Sequence, residues 1–197
     1  MKAVHLPRLI AAAVILLGLT GTASAQKVTA QLKGKPAPAI SLKMIDDKTI
    51  NLPGPRGHVV LIDYWATWCG PCRAQPPHTQ KLAADKTLAD RGLVVLAINK
   101  EEAPEKVKPF LEKNHYTFTV PMDVDHNFGD AYFVHGLPVT ILIGRDGKIR
   151  NVFIGYGPKS DPKIDDAITD ALKQPPPNTT GPAPTGSAPG SVSSTFP

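Results

Sequence analysis

From residue 40 onward, short apolar runs alternate with stretches of helical periodicity. Ile40-Ser41-Leu42-Lys43-Met44 alternates apolar and polar residues, Asp46-Asp47-Lys48 turns, and Thr49-Ile50-Asn51-Leu52 returns with the same alternation, which predicts a β-hairpin. Pro53-Gly54-Pro55-Arg56-Gly57 then breaks the pattern. Val59-Val60-Leu61-Ile62 and Leu93-Val94-Val95-Leu96-Ala97-Ile98 are continuous apolar runs of strand length, as in strands buried on both faces of a sheet. Between them, Arg73 to Ala89 predicts a helix kinked by Pro76-Pro77. Ala103 to Lys113 places Val107, Phe110 and Leu111 at helical spacing, with Pro104 suited to the first turn. Phe118 to Met122 reads as a short strand, and Asn127 to Tyr132 as a short helix introduced by Asp125. Val139 to Ile143 and Ile149 to Tyr156 read as strands joined by a hairpin turn at Arg145-Asp146-Gly147-Lys148. In the last helix, Asp161 is the expected N-cap, Pro162 the first position, and Ile164, Ala167, Ile168, Ala171 and Leu172 share one face. Strand, helix, strand, helix is the order of an α/β fold.

The two ends differ from this pattern. Residues 1–25 carry a basic start (Lys2, Arg8), an apolar stretch from Leu9 to Leu19, and the small residues Ala23-Ser24-Ala25, which predict an export signal cut before Gln26. The apolar stretch is well short of the roughly 20 residues a membrane-spanning helix needs, and no cysteine follows to take a lipid anchor. A soluble exported protein, periplasmic or otherwise extracytoplasmic, is expected in preference to a membrane tether. Residues 26–34 read as a linker and 35–173 as the folded domain. Residues 174–197 hold seven of the 21 prolines and no charge, so they cannot build a core and predict a disordered tail.

Net charge is +5 for the 197 residues, and loss of Lys2 and Arg8 leaves +3. With no lysine/arginine stripe and no interleaved aromatics, nothing beyond a high pI supports nucleic-acid binding.

The only two cysteines, Cys69 and Cys72, enclose Gly70-Pro71 where an apolar strand meets a helix. At such a junction the first sulfur lies near unpaired amide hydrogens and the positive end of the helix dipole, which favour a thiolate. The loop closed is too short for a mainly structural disulfide. Dithiol redox chemistry is the reading, beside a static disulfide and a metal clip. A tetrahedral metal site wants roughly four ligands, and no second cysteine pair or closely spaced histidine is present. A two-cysteine copper site with His78 or His135 stays open as an alternative.

Trp68-Cys69-Gly70-Pro71-Cys72 resembles the active-site pentapeptide of the thioredoxin superfamily, and the longer Trp65-Ala66-Thr67-Trp68-Cys69-Gly70-Pro71-Cys72 resembles its TlpA/ResA-like extracytoplasmic branch. Lys35-Pro36-Ala37-Pro38 before a hairpin resembles that branch's N-terminal extension. Residues 103–132 resemble its central insertion. The resemblance implies a thioredoxin fold: a central mixed β-sheet flanked by helices, with an N-terminal β-hairpin and a central αβ-type insertion. It implies a thiol-disulfide oxidoreductase without a cofactor or metal, Cys69 attacking and Cys72 resolving. Gly70-Pro71 implies the reducing direction, with oxidase, isomerase or a copper-binding module as alternatives. Expected partners are exported proteins with cysteines or disulfides, among them apocytochrome c, and a transmembrane thiol electron donor. A monomer is expected.

Further residues follow from the same resemblance. Asp63, six positions before Cys69 in an apolar strand, matches the buried acid of thioredoxin. There its carboxyl would have a raised pKa and could take the Cys72 proton. Pro138, in Gly136-Leu137-Pro138-Val139-Thr140, resembles the cis-proline loop, and a cis peptide is feasible in practice only before proline. Trp68, Gly70, Pro71, Leu137 and Pro138 are the implied substrate-binding set. Glu102 falls where the branch often carries an acid, although Glu101, Glu102 and Glu105 together also suit a helix start. Asp123-Val124-Asp125-His126-Asn127 resembles the start of a calcium loop, but its glycine is one position late and Val134 stands where a glutamate is needed. A helix N-cap accounts for it better. Thr67 lies two positions before Cys69, not the three of peroxiredoxins, which disfavours peroxidase activity.

Overall fold

The structure, a computed structural model, describes residues 19–54 and 56–177. Its elements are α1 (Leu19–Leu32), β1 (Ile40–Met44), β2 (Thr49–Leu52), β3 (Val59–Trp65), a 3-10 turn (Pro71–Ala74), α2 (Pro76–Ala84), α3 (Lys86–Asp90), β4 (Leu93–Lys100), α4 (Pro104–Asn114), β5 (Pro121–Asp123), α5 (Asn127–Ala131), β6 (Val139–Ile143), β7 (Ile149–Ile154) and α6 (Ser160–Lys173). The strands form one mixed sheet in the order β2-β1-β5-β4-β3-β6-β7. β3 runs parallel to β4 and β4 to β5, while the other neighbours are antiparallel.

β3 lies between β4 and β6 and is buried along its whole length, so its residues serve both faces. Val60, Ile62 and Tyr64 pack with Leu32 of α1 and with Phe128 and Tyr132. Val59 and Leu61 pack on the opposite face with Leu82 of α2 and Ile164, Ile168, Ala171 and Leu172 of α6. Two-residue periodicity puts Asp63 and Trp65 on this second face. There Trp65 joins Ala97, Val107, Phe118 and both cysteines in a third cluster.

The hairpin β1-β2 has the residue bounds the alternation predicts, and Gly147 at the tip of the β6-β7 turn adopts φ +77°, where a side chain would be strained. Several expectations are corrected. Residues 26–34 are not all linker: α1 runs to Leu32, which is buried, and Val28 packs one turn before it on the same face. The predicted helix from Arg73 to Ala89 is three pieces. Pro76 and Pro77 begin α2 instead of kinking it, because the first helical positions need no amide hydrogen. Asp85 then ends α2 and caps α3, its side chain accepting from the Leu88 amide at 3.1 Å. The strand predicted at Phe118 to Met122 is shifted to Pro121–Asp123.

Two predicted caps do not form. Asp123, not Asp125, serves α5: its Oδ1 accepts from Phe128 N at 2.9 Å and its Oδ2 from Gly129 N at 3.1 Å and the Tyr64 hydroxyl at 2.7 Å. α6 begins at Ser160, with Pro162 in its third position, and Asp161 accepts from the Tyr156 hydroxyl instead of capping. Among the described residues, no helix is long and apolar enough to cross a membrane. Most of the expected leader and tail lies outside the described residues.

Candidate active site

β3 ends at Trp65, and the chain crosses Ala66-Thr67-Trp68 into the cysteine pair. Cys69 and Cys72 are joined by a disulfide, with Cα atoms 5.2 Å apart. The Cys72 amide lies 3.3 Å from Cys69 Sγ and donates to it. This amide opens a 3-10 turn, and α2 starts only at Pro76, so the sulfur sits against a short turn and not the long helix expected. Cys69 is 6% exposed and Cys72 1%. Beside them Trp68 is 58% exposed, and Gly70 and Pro71 are also at the surface. The Leu137–Pro138 bond is cis; Pro138 is buried, and Leu137 packs against the cluster holding both cysteines.

Asp63 is 4% exposed and enclosed by donors. Gln75 Nε2 donates to its Oδ1 at 2.6 Å and Thr140 Oγ1 to the same oxygen at 3.0 Å, while the Thr79 hydroxyl donates to Oδ2. Thr140 faces Asp63 directly across the β3-β6 pair. Gln75 also ties this cage to the redox pair, since its backbone amide donates to the Cys72 carbonyl at 3.1 Å. A small cavity, on the scale of about one water molecule, is lined by Asp63, Gln75, Thr79, Trp65, Ala97 and Phe118, the last three belonging to the cysteine cluster.

Burial raises the Asp63 carboxyl above its ordinary value of 3.8, against the bonds from Thr79, Thr140 and Gln75 and the charge of His78, which lower it. With the folded-state value above the unfolded one, the native chain binds the extra proton between the two. The group's contribution to stability is then full below the unfolded value and is lost as pH rises through the folded value. Asp63→Asn is neutral throughout. It keeps the Oδ1 acceptor, and Thr79 can turn its hydroxyl to the Gln75 carbonyl 3.4 Å away. The variant is expected to gain on the parent by about 1.4 kcal/mol per pH unit across that window. Urea midpoints of both proteins in the disulfide form, taken from about pH 4 to pH 8, measure this; parallel curves would contradict it.

Glu102 is 4% exposed and holds the approach to the cysteines. Its Oε2 accepts from the Thr67 amide at 2.7 Å and from Asn99 Nδ2 at 2.8 Å, and Oε1 accepts from the Thr67 hydroxyl. Glu101, at φ 60°, turns the chain out of β4 in the left-handed region uncommon for a side-chain-bearing residue. Glu105 lies apart, in the first turn of α4. His78 is turned toward Asp161 and Asp165 of α6, and His135 is exposed.

Sequence reasoning did not find Gln75, Thr79, Thr140, Thr67 or Asn99. Gln75 and Thr79 stand one helical turn apart, and polar residues at that spacing on a core-facing stripe were the available signal. Thr140 is a polar residue inside an apolar strand run.

Residues 32–168 match the Redoxin family. The thiol-disulfide oxidoreductase ResA of Oceanobacillus iheyensis is 32% identical over 126 residues, 62% of this chain and 65% of that protein, just under two thirds of its length. The thioredoxin-like protein YneN of Bacillus subtilis is 33% identical over 156 residues, 75% of this chain and 89% of that one. Among solved structures, a thiol:disulfide interchange protein of the thioredoxin family from Chlorobium tepidum superposes with a TM-score of 0.58 at 26% identity, covering 70% of this chain and 96% of the other. With the mixed sheet and the Trp-Cys-Gly-Pro-Cys turn, these likenesses place the chain in the Redoxin family, as a thiol-disulfide oxidoreductase of the TlpA/ResA-like branch of the thioredoxin superfamily.

Proposed function

We propose that this oxidoreductase works outside the cytoplasm as a reductase of disulfides in exported proteins. The observation that carries its mechanism is the buried Asp63 carboxyl, tied through Gln75 to the backbone of Cys72. Cys69 is the nucleophile, because the Cys72 amide is already directed at its sulfur and it is the less buried of the pair. Its thiolate attacks one sulfur of the substrate disulfide, forming a mixed disulfide and releasing the first substrate thiolate. Cys72 then attacks Cys69 Sγ while its proton passes to Asp63, closing the Cys69–Cys72 bond and releasing the second substrate sulfur. The cavity beside Asp63 has the dimensions for one water.

Trp68, Gly70, Pro71, Leu137 and Pro138 form the substrate-binding surface. Pro138 presents no amide hydrogen, so it leaves the sulfur without a competing donor, and extended substrate pairs with the backbone beside it. The folded unit is residues 35–173 with the end of α1 added. Cutting before Gln26 would retain Val28 and Leu32, which touch the core. Oxidised by each turnover, the pair is recharged by a transmembrane thiol carrier. Substrates are exported thiol proteins, apocytochrome c among them.

Equilibration with glutathione buffers tests the direction. A reductase should poise near the reducing end, about −270 mV where thioredoxin lies, and a value near −120 mV, about that of a strong oxidant, would contradict the reading.

A further inference from the structure

His78 is buried on α2, yet both of its ring nitrogens face carboxylates of α6. Nε2 lies 2.9 Å from Asp165 Oδ1 and Nδ1 lies 3.3 Å from Asp161 Oδ1. A neutral imidazole has one N–H to give, while two carboxylate acceptors are matched by the two donors of an imidazolium. The His78 side chain is 6% exposed, against 46% and 44% for the two acids, so the positive member of the group is the one facing inward. Its neighbours in sequence are the Asp63 cage: Gln75, at the N-cap of the same helix, and Thr79, within it, both donate to that carboxyl.

We propose that His78 is a positioning residue for the redox reaction, an internal cation held by Asp161 and Asp165 that acts on Cys72 through Asp63. The inference rests on the reading of Asp63 as the proton acceptor. In the resolving step the Cys69–substrate disulfide breaks, the Cys69–Cys72 disulfide forms, the Cys72 proton moves to Asp63 and the substrate leaves as thiolate. Asp63 must therefore enter the step as the anion. Burial opposes that charge, the three hydrogen-bond donors support it, and His78 is the cation whose field favours it. The groups around His78 are Asp161 and Asp165 from α6, Tyr156 through its bond to Asp161, Asp63 from β3, and on its own helix the exposed Lys81. Among the described residues, no other cation lowers Asp63. A purely structural staple between α2 and α6 would give stability alone; this arrangement also sets how readily the acceptor ionises.

The test follows the resolving step in the full chain. Reduced protein is mixed with an aromatic disulfide in a stopped-flow instrument, and the concentration-independent release of the second aromatic thiolate is recorded against pH. For the parent, the rate should rise with pH along a limb set by Asp63, and Asp63→Asn should flatten that limb. His78→Gln should move the limb to higher pH by half a unit or more, a fall of about threefold at a fixed pH on it. In the double variant, His78→Gln should add no further displacement to Asp63→Asn. If Asp63→Asn flattens the limb and His78→Gln leaves it in place, the role of His78 is overturned, even with lowered thermal stability. If Asp63→Asn keeps the limb, the reading of Asp63 itself fails, and the role of His78 with it. Should His78→Gln not fold, ring-nitrogen NMR of the intact protein at the assay pH decides. Protons on both His78 nitrogens are expected, and a ring with a single N–H would overturn the proposal.

Discussion

Cys69→Ser is expected to abolish disulfide reduction, with turnover falling by on the order of a thousandfold or more, because it removes the group that forms the first covalent bond. Cys72→Ser should lose turnover to a similar extent for a different reason. Its Cys69 thiolate still attacks, and the reaction stops at the mixed disulfide. The two variants thus separate in a single-turnover experiment: Cys72→Ser releases one equivalent of substrate thiol and Cys69→Ser, whose remaining sulfur is 1% exposed, releases essentially none. Comparable bursts from both would mean that either sulfur can attack. Double substitution should be no worse than Cys69→Ser, since residues acting in sequence on one bond do not contribute additively.

The second large effect is expected at Glu102. Replacing it by alanine takes the acceptor from the Thr67 amide, the Thr67 hydroxyl and Asn99 Nδ2 together. Asn99 is fully buried and its Oδ1 already has no partner among the described residues, so the lost bond is not remade within the side chain. Buried donors left unpaired cost about 1–3 kcal/mol each when water cannot reach them. Thr67, which is only half-buried, recovers part of that. A net loss of about 2–4 kcal/mol is expected, or roughly 5–15 °C in Tm for a chain of this size. Since Thr67 lies two residues before Cys69, kcat/KM should also fall. Glu102→Gln keeps one carboxyl-like oxygen for the Thr67 amide and should recover much of the stability. Equal Tm values for the parent and Glu102→Ala would show that the loop does not depend on this acid.

What the sequence disclosed was the part written in local patterns. The alternation in residues 40–52 specified the hairpin, because side-chain period fixes register when one face is buried. The uninterrupted apolar runs of β3 and β4 marked the two central strands, and the resemblance to thioredoxin implied the buried acid at Asp63, directly after the first run. The resemblance of Gly136-Leu137-Pro138-Val139-Thr140 to the cis-proline loop implied the cis bond. The partners of each functional residue were not legible in that way. Asp63 is held by residues 12, 16 and 77 positions away, and Glu102 by Thr67, 35 positions away. No periodicity encodes such pairings. Caps failed for a related reason. Asp125 and Asp161 were the acids placed where helix starts were expected. Asp123, held by Tyr64, reaches across His126 to the amides of α5, and Asp161 is drawn to His78 and Tyr156. At α5 tertiary hydrogen bonds select Asp123, and at α6 they draw Asp161 away and leave the helix start without a side-chain cap.

The central claim is that Cys69 forms the covalent intermediate and Cys72 resolves it. Incubating the Cys72→Ser protein with a disulfide-bonded exported substrate, then separating products without reductant, tests it most directly. The predicted result is a stable one-to-one adduct that reductant dissolves and whose peptide map joins Cys69 to a substrate cysteine. An adduct that never forms, while the substrate is still reduced, would contradict it.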